Sequence, residues 1–230
     1  MIVQYDGLLF NALRDGTGPD WQKYVDHAFV QRIADGSLPE AAFRYYLIQD
    51  YLFLIHFSRA WALAAYKAET LYDIIAASEI LNGISNAEMA LHVEFCRSWG
   101  LTEADMEAAP EAPACLAYTR YVLETGLRGD LLDLHIALAP CVVGYGEIGH
   151  ALGSAVVVPG NPYQPWIELY AGDEYQKVAQ SAVTALDDLW ARRGSEARRA
   201  SAQRIFSEAT RLEISFWQMG LDETRLETTR

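Results

Sequence analysis

The sequence predicts an all-α fold, built as a single-domain helical bundle over residues 1–230. Apolar residues recur with helical spacing along most of the chain, and most of the sixteen glycines and eight prolines fall between the periodic segments. There is no alternating hydrophobic run of strand length and no low-complexity linker. Hydrophobic residues make up 51% of the 230 residues, which is enough for a sizeable core. These features are typical of helices joined by short connections.

The helices can be placed in order from their breakers and capping residues. A short first helix ends at the Gly16–Pro19 turn, and Pro19 suits the first turn of a second helix that runs to about Gly36. The segment from Ala41 to about Ala68 predicts a long aromatic helix, which must be buried on most sides because it carries few charges. The remaining helices are predicted at 70–99 with a bend near 82–83, from 102, at 113–126, from 130, and at 162–170, 173–193 and 196–219.

The composition disfavours several classes of partner. The net charge of −13 is unfavourable for nucleic acid, whose binding depends on Lys and Arg, and for anionic membrane surfaces. The best candidate for a membrane span, 137–159, is interrupted by Glu147 and His150, and the N-terminus lacks a secretory signal pattern. Three cysteines without CxxC spacing indicate reduced thiols, no zinc site and a cytoplasmic location.

The most informative stretch is ALAPCVVGYGEIG, residues 137–149. In a helix, Cys141 and Tyr145 lie on one face because residues four apart are aligned. Gly144 and Gly146 each weaken such a helix by roughly 1 kcal/mol relative to Ala, which indicates that another group approaches its backbone closely. Two interpretations of Cys141 remain open at this point: an inert buried thiol, which is common, and a reactive one.

Two carboxylates are embedded among large apolar residues. Asp50 lies in the middle of the aromatic helix, where a carboxylate must be paired or must face a polar cavity. Glu213 lies in the run RLEISFWQMG, and a poorly solvated pocket there would raise its pKa and suit it to general acid–base catalysis. The structural alternatives are a bond from Asp50 to Arg59 or Lys67, and pairing of Glu213 with Arg211.

Glu88 and His92 are four residues apart, a spacing that allows a shared metal-ligand face on a helix. Carboxylate–histidine pairs repeated on a second helix are the parts of di-iron bundles. Neither His135 nor His150 has a glutamate four residues before it, so the sequence predicts no metal site and no cofactor. Thirteen tyrosines and six tryptophans suit an aromatic-walled pocket for a planar heterocycle, although most of these rings are expected to be core.

Five motifs follow one another from about residue 20 to residue 220. They are FRYYLIQDY at 43–51, NAEMALHVEF at 86–95, P-C-x-x-x-Y-x-E-x-G at 140–149, P-Y-x-x-W-I-x-x-Y-x-G-D at 162–173 and E-x-x-F-W-x-M at 213–219. Together they resemble the TenA family of thiaminase II, or aminopyrimidine aminohydrolase, proteins. The resemblance implies an all-α, haem-oxygenase-like fold, assembly as a homotetramer and a pocket inside each subunit.

The resemblance also implies roles for eight residues. Cys141 matches the family's nucleophile, Glu213 its general acid and base, and Asp50 the carboxylate that holds the ring nitrogen and exocyclic amine of the pyrimidine. The matching aromatic pocket residues are Tyr118, Tyr145, Tyr170 and Phe216. Phe53 stands where better-studied members have a tyrosine, so the pocket lacks one hydroxyl, and this difference bears on substrate preference.

The implied reaction is hydrolysis at the C5 methylene of 4-amino-2-methylpyrimidines, in thiamin salvage. The Cys141 thiolate adds to ring C6 while Glu213 protonates a ring nitrogen, and the ring then expels an amine or the thiazole of thiamin. Water adds to the methylene and the thiol leaves. A cysteine in mid-helix gains little from a helix N-terminus, so we expect a nearby base or hydroxyl such as Tyr145 to assist it. The residues do not indicate which leaving group is preferred.

Two other functions remain open on the sequence. One is oxidation through a metal or cofactor on a haem-oxygenase-like fold, which would need a histidine-rich pocket. The other is a non-enzymatic bundle with a regulatory role. A scaffold has no physical use for Cys141, Glu213 and Asp50 together, and the net charge of −13 disfavours direct DNA binding.

Overall fold

Every regular element in the described part of the chain is helical, which confirms the all-α prediction. This computed structural model describes residues 5–84, 88–156 and 158–227, with side chains up to residue 222. The helices are α1 (Leu8–Gly16), α2 (Pro19–Val25), α3 (Ala28–Ala34), α4 (Glu40–Lys67), α5 (Leu71–Gly83), α6 (Met89–Ser98), α7 (Glu103–Glu107), α8 (Pro113–Arg128), α9 (Leu131–Gly153), α10 (Gln164–Ala171), α11 (Asp173–Arg193) and α12 (Arg199–Glu227), with a 3-10 turn at Glu196–Arg198 before α12.

Helix α9 is the centre of the bundle and packs against α8, α10, α11 and α12. Asp130 and Asp133 cap its first turn reciprocally, each side chain accepting from the other's backbone N–H. Every residue from Ile136 to Gly149 is buried. By length and composition alone, Leu131–Gly153 could cross a membrane, which differs from the expectation from sequence. However, 89% of its most apolar window is buried inside the fold, as in the core helix of a bundle.

Glycines of α9 allow neighbouring groups to touch its backbone. A Cβ at Gly144 would lie 2.2 Å from the ring of Tyr24, whose hydroxyl donates to the Pro140 carbonyl at 3.1 Å. A Cβ at Gly149 would lie 2.3 Å from the backbone carbonyl carbon of Tyr170. The close approach predicted at Gly144 is therefore confirmed, and the second contact seats α10 directly on α9.

Helix α4 is buried along most of its length, as its low charge predicts, and packs against α5, α6, α8 and α12. Its polar residue Gln49 is fully paired: the amide donates to the Pro110 carbonyl at 3.0 Å, and its oxygen accepts from the Ala112 N–H at 2.8 Å. These bonds fix the middle of α4 against the segment before α8. Asp50, the next residue, and Phe53, one turn further along α4, are thereby placed in the interior.

Some predicted helix boundaries are wrong. The second predicted helix is divided into α2 and α3, because the His27 ring accepts a hydrogen bond from the Phe29 N–H at 3.2 Å and caps a new helix. The bent helix predicted between α4 and α7 is interrupted: α5 ends at Gly83 and α6 begins at Met89. Residues 85–87, which include part of one quoted motif, lie outside the described ranges.

Candidate active site

Five helices contribute the residues predicted for the site. They are Asp50 and Phe53 on α4, Tyr118 on α8, Cys141 and Tyr145 on α9, Tyr170 on α10, and Glu213 and Phe216 on α12. None of the eight is more than 8% exposed. Hydrogen bonds and ring contacts bring all eight together against the middle of α9.

Glu213 is held between Tyr118 and Cys141. The Tyr118 hydroxyl donates to Glu213 Oε1 at 2.8 Å, and the Cys141 thiol is close enough to the same carboxyl to influence its pKa. Burial raises the pKa of Glu213 to about 8, with a further contribution from the charge of Asp50, although the bond from Tyr118 and the neighbouring Cys141 thiol oppose the shift. At neutral pH this carboxyl is mostly protonated, so it can donate a proton.

Cys141 is a neutral thiol in this environment. Burial is the main cause that raises its pKa well above the ordinary value, and the Glu213 carboxyl adds to this shift when it is ionised. The hydroxyl expected to assist the thiol, that of Tyr145, instead lies 3.2 Å from the hydroxyl of Tyr46 and shares a hydrogen bond with it. Glu213 is therefore the group placed to accept the thiol proton when sulfur attacks.

Neither embedded carboxylate makes the structural ion pair considered as an alternative. Arg211 pairs with two carboxylates on the surface. Lys67 donates to the backbone carbonyl of Gly129 at 2.8 Å, and Arg59 contacts the ring of His56. These three cations therefore bind other groups. The hydrogen-bond partners of Asp50 and Glu213 come from the site instead.

Asp50 is anchored through one of its two oxygens. The Tyr46 hydroxyl donates to Asp50 Oδ2 at 3.0 Å, and His92 Nε2 lies 2.7 Å from the same atom. Within residues 5–84, 88–156 and 158–222, no hydrogen bond reaches Oδ1. Oδ1 therefore retains the capacity to accept a hydrogen bond from a ligand.

His92 connects Asp50 to the start of α6. Its Nδ1 lies 2.6 Å from the Glu88 carbonyl, which can only accept, so Nδ1 carries a hydrogen. Burial favours the neutral ring, but the hydrogen bond and charge of Asp50, together with Glu88, outweigh it and raise the pKa of His92. Because both ring nitrogens are engaged, the Glu88–His92 spacing does not create a metal-ligand face. The described side chains also contain no group of three His, Cys, Asp or Glu placed to hold a metal.

Aromatic rings form the walls of the site. Phe53 lies against Tyr118, with ring centroids 4.9 Å apart, and against Phe216 at 5.5 Å. Tyr145 meets Tyr170 edge to face at 5.0 Å. Flat apolar walls around a few fixed polar groups suit a planar heterocycle.

A cavity of about 280 Å³ opens beside Cys141. Its apolar lining includes Phe57, Ile84, Val142 and Leu169. A hollow of about 370 Å³ between α8 and α12 is larger, but none of the eight site residues lines it. Of the eight predicted site residues, only Cys141 lines the cavity of about 280 Å³, so this cavity meets the site at the candidate nucleophile.

Sequence reasoning missed several contributors to the site. Tyr46 precedes Asp50 by four residues on one helix, a spacing that could have identified the bond between them. Tyr175, which lines the cavity, carries no comparable signal in the sequence. Glu88 and His92 were considered only as metal ligands, because the contact of His92 with Asp50 lies on another helix.

Comparison with known proteins places the chain in a family. Residues 17–223 match the family model described as the TENA/THI-4/PQQC family. A protein of Halalkalibacterium halodurans named aminopyrimidine aminohydrolase is 37% identical over 213 residues, covering 92% of this chain and 95% of the relative.

Two solved structures share the architecture. One, described as a TenA family transcription regulator from Silicibacter sp. TM1040, has a TM-score of 0.90 and 46% identity, and covers 94% of this chain and 98% of its own. Another, a domain of unknown function with a heme oxygenase-like fold from Shewanella denitrificans, has a TM-score of 0.74 at 13% identity over 95% of this chain and 94% of its own. This chain thus belongs to the TENA/THI-4/PQQC family and has its haem-oxygenase-like fold.

Proposed function

We propose that this chain is an aminopyrimidine aminohydrolase that acts in thiamin salvage. The observation that carries the proposal is the buried Cys141 thiol, which lines an open cavity and lies beside the buried Glu213 carboxyl. A soft nucleophile and an acid of near-neutral pKa are the groups that addition to a protonated heterocycle requires. Relatives that carry the name aminopyrimidine aminohydrolase, at 37% and 34% identity, support the same assignment.

Glu213 passes a proton from sulfur to the ring. As the Cys141 sulfur bonds to ring C6, the thiol proton moves to Glu213, and the proton already on Glu213 moves to a ring nitrogen. The carboxyl ends the step as it began, so no new charge is left on it in a buried site. Tyr118, at 2.8 Å from Glu213 Oε1, orients the carboxyl for both transfers.

The remaining steps return the enzyme to its starting state. The enamine-like ring expels the substituent on the C5 methylene, and the bonding electron pair leaves with that substituent. Water then adds to the methylene and loses a proton, which gives the hydroxymethyl group. The ring nitrogen returns its proton as the carbon–sulfur bond breaks, and Cys141 leaves as the thiol.

Asp50 orients the pyrimidine for this addition. Tyr46 and His92 hold Oδ2, so Oδ1 can accept from the exocyclic amine of a 4-aminopyrimidine. The rings of Phe53 and Tyr145, among the aromatic side chains of the site, limit the tilt of the heterocycle. Phe53 offers no hydroxyl to the ligand, so orientation depends on the carboxyls.

Asp50→Ala should weaken binding of a 4-aminopyrimidine by roughly 10- to 100-fold, because a hydrogen bond to a charged group is lost. The measurement is titration calorimetry with 4-amino-5-hydroxymethyl-2-methylpyrimidine, together with the melting temperature. Asp50→Asn serves as the matched control for fold, since its shape retains contact with Tyr46. Unchanged affinity in the folded alanine variant would count against the anchor role.

The function itself is tested by side-by-side hydrolysis assays with the purified chain. One substrate is 4-amino-5-aminomethyl-2-methylpyrimidine, the other is thiamin, and the hydroxymethylpyrimidine product is quantified from each. We expect turnover of at least one, and the faster substrate identifies the leaving group. Turnover of neither would contradict the proposal.

The two alternative functions have less support. Oxidation on this fold would need imidazoles available to hold a metal or cofactor, whereas His92 uses both ring nitrogens for hydrogen bonds. The relative described as a transcription regulator shares the architecture. A regulatory role alone would give no use to the linked Cys141, Glu213 and Asp50, and the net charge of −13 disfavours contact with DNA.

A homotetramer is the proposed assembly. The end of α4 and the start of α5 present Tyr66, Leu71 and Tyr72, each more than 70% exposed, and exposed apolar patches often mark interfaces. Light scattering coupled to size-exclusion chromatography should therefore give about four times the 25.7 kDa chain mass. Leu71→Glu with Tyr72→Glu should lower that mass, with Leu127→Glu, another exposed leucine, as control. A single-chain mass for the unmodified protein would contradict the proposal.

We place the protein in the cytoplasm, with a small pyrimidine as its ligand rather than nucleic acid or a membrane. Cys96, Cys115 and Cys141 are all free and buried, which is compatible with a reducing compartment. The acidic balance of the chain supports the absence of nucleic acid and anionic lipid as partners.

A further inference from the structure

The cavity beside Cys141 has a carboxyl in its wall that the steps above leave unused. Glu88, which lies just before α6, lines this cavity together with Cys141, and Tyr170 influences the pKa of its side chain. Among the charged groups that raise the pKa of Cys141, Glu88 follows directly after Glu213. Glu88 and Cys141 therefore line one cavity, and the charge of the Glu88 carboxyl acts on the thiol.

The rest of this wall is also suited to a cation. Glu79 and Glu174, both exposed, line the same cavity, and Glu174 pairs with Lys177 at 2.7 Å; no Lys or Arg is among the described lining residues. The other lining residues are mostly apolar. An ion pair in this cavity is therefore screened less than it would be in water. A negatively charged group such as a phosphate would meet three glutamates in this wall and no Lys or Arg among the described lining residues.

We propose that Glu88 is a specificity-determining residue that binds a positively charged substituent on the C5 methylene of the substrate, in the simplest case an ammonium group. This inference rests on the proposed function. Because Cys141 adds to ring C6, which is bonded to C5, the methylene substituent must lie within a few bonds of the sulfur. The space open beside the sulfur is this cavity. Of the carboxyls in its wall, Glu88 is the one whose charge acts on the Cys141 thiol.

The interaction has a chemical consequence for the leaving group. An amine held as ammonium leaves as neutral ammonia: the carbon–nitrogen bond breaks, its electron pair stays on nitrogen, and no further proton has to be added. The Glu88 carboxylate keeps the amine in that form until the bond breaks. The hydroxymethyl product is neutral and lacks the ion pair, so substrate binds more tightly than product.

The test compares a cationic ligand with a neutral one of nearly the same shape. Titration calorimetry with Cys141→Ser protein, at pH 8, gives dissociation constants for the 5-aminomethyl and 5-hydroxymethyl forms of 4-amino-2-methylpyrimidine. Burial, with a contribution from the charge of Asp50, raises the pKa of Glu88 to about 7, so pH 8 keeps it mainly ionised. The variants added to this background are Glu88→Gln and, as the matched control, Glu94→Gln, an exposed glutamate on α6.

We expect Glu88→Gln to weaken binding of the aminomethyl compound on the order of tenfold, as for loss of a close charge pair, and to change the hydroxymethyl compound less than twofold. Glu94→Gln should change neither. Glu88→Asp, which retains the charge, should keep part of the preference and guards against a folding defect in the glutamine variant. An unchanged affinity ratio in folded Glu88→Gln would overturn this inference alone. Failure of both compounds to bind the Cys141→Ser protein would overturn the proposed function as well.

Discussion

Cys141→Ser should lower kcat by roughly 10³-fold or more while leaving the fold intact. A serine hydroxyl is a far weaker nucleophile toward C6, and Glu213 is too weak a base to ionise it. The size of the side chain hardly changes, so the melting temperature should move by only a few degrees. Steady-state kinetics on the aminomethylpyrimidine, together with thermal unfolding, provide the measurement.

The matched control is Cys96→Ser, which removes another buried thiol, on α6 rather than in the site. It should lower stability more than activity, because the new hydroxyl lies in an apolar environment. Near-normal turnover by folded Cys141→Ser would refute its role as nucleophile. An equal loss of kcat in Cys141→Ser and Cys96→Ser would indicate an effect on packing rather than on the chemical step.

Glu213→Gln should lower kcat by about 10²- to 10⁴-fold, the usual contribution of a positioned acid–base group. Glutamine can still accept the hydrogen bond from Tyr118 but cannot give a proton to the ring. Because burial raises the pKa of Glu213 to about 8, activity of the unmodified enzyme should fall as pH rises through 8. That decline should be absent from the residual activity of the variant.

The same raised pKa has a consequence for stability. A carboxyl whose folded pKa lies above its unfolded value contributes stability that is complete below the unfolded value and is lost as pH rises through the folded one. Relative to Glu213→Gln, the unmodified protein should therefore lose stability between about pH 4.5 and pH 8. Glu208→Gln, an exposed position on the same helix, is the control and should show no such difference. If the stability difference between the unmodified protein and Glu213→Gln did not change with pH, and the variant kept the pH–rate profile of the unmodified enzyme, Glu213 would not be the titrating acid.

Much of the fold could be predicted from local signals. The start of α9 follows from Asp130, whose side chain accepts a hydrogen bond from the Asp133 N–H and so caps the helix. The burial of α9 follows from a long apolar run. Gly144 correctly indicated a close approach, because glycine in a helix interior needs a packing reason. The division between α2 and α3 was not predicted, since His27 is a weak capping signal in sequence.

The site was less accessible to residue-level reasoning. Burial of Asp50 and Glu213 could be expected from their apolar neighbours, and the motifs added roles through family resemblance. Their actual partners lie far away along the chain: His92 is 42 residues from Asp50, and Tyr118 is 95 residues from Glu213. Such pairs depend on how helices pack, which local periodicity does not encode. The same limit explains why Glu88 was not connected with Cys141.

Hydrolysis in ¹⁸O-labelled water tests the proposed chemistry most directly. The purified chain would convert 4-amino-5-aminomethyl-2-methylpyrimidine, and fragmentation mass spectrometry would locate the new oxygen. Displacement through Cys141 predicts one ¹⁸O atom on the C5 methylene, with the 4-amino group of the ring retained. Oxygen at ring C4 with loss of the 4-amino group would mean deamination of the ring instead, and would contradict hydrolysis at the methylene.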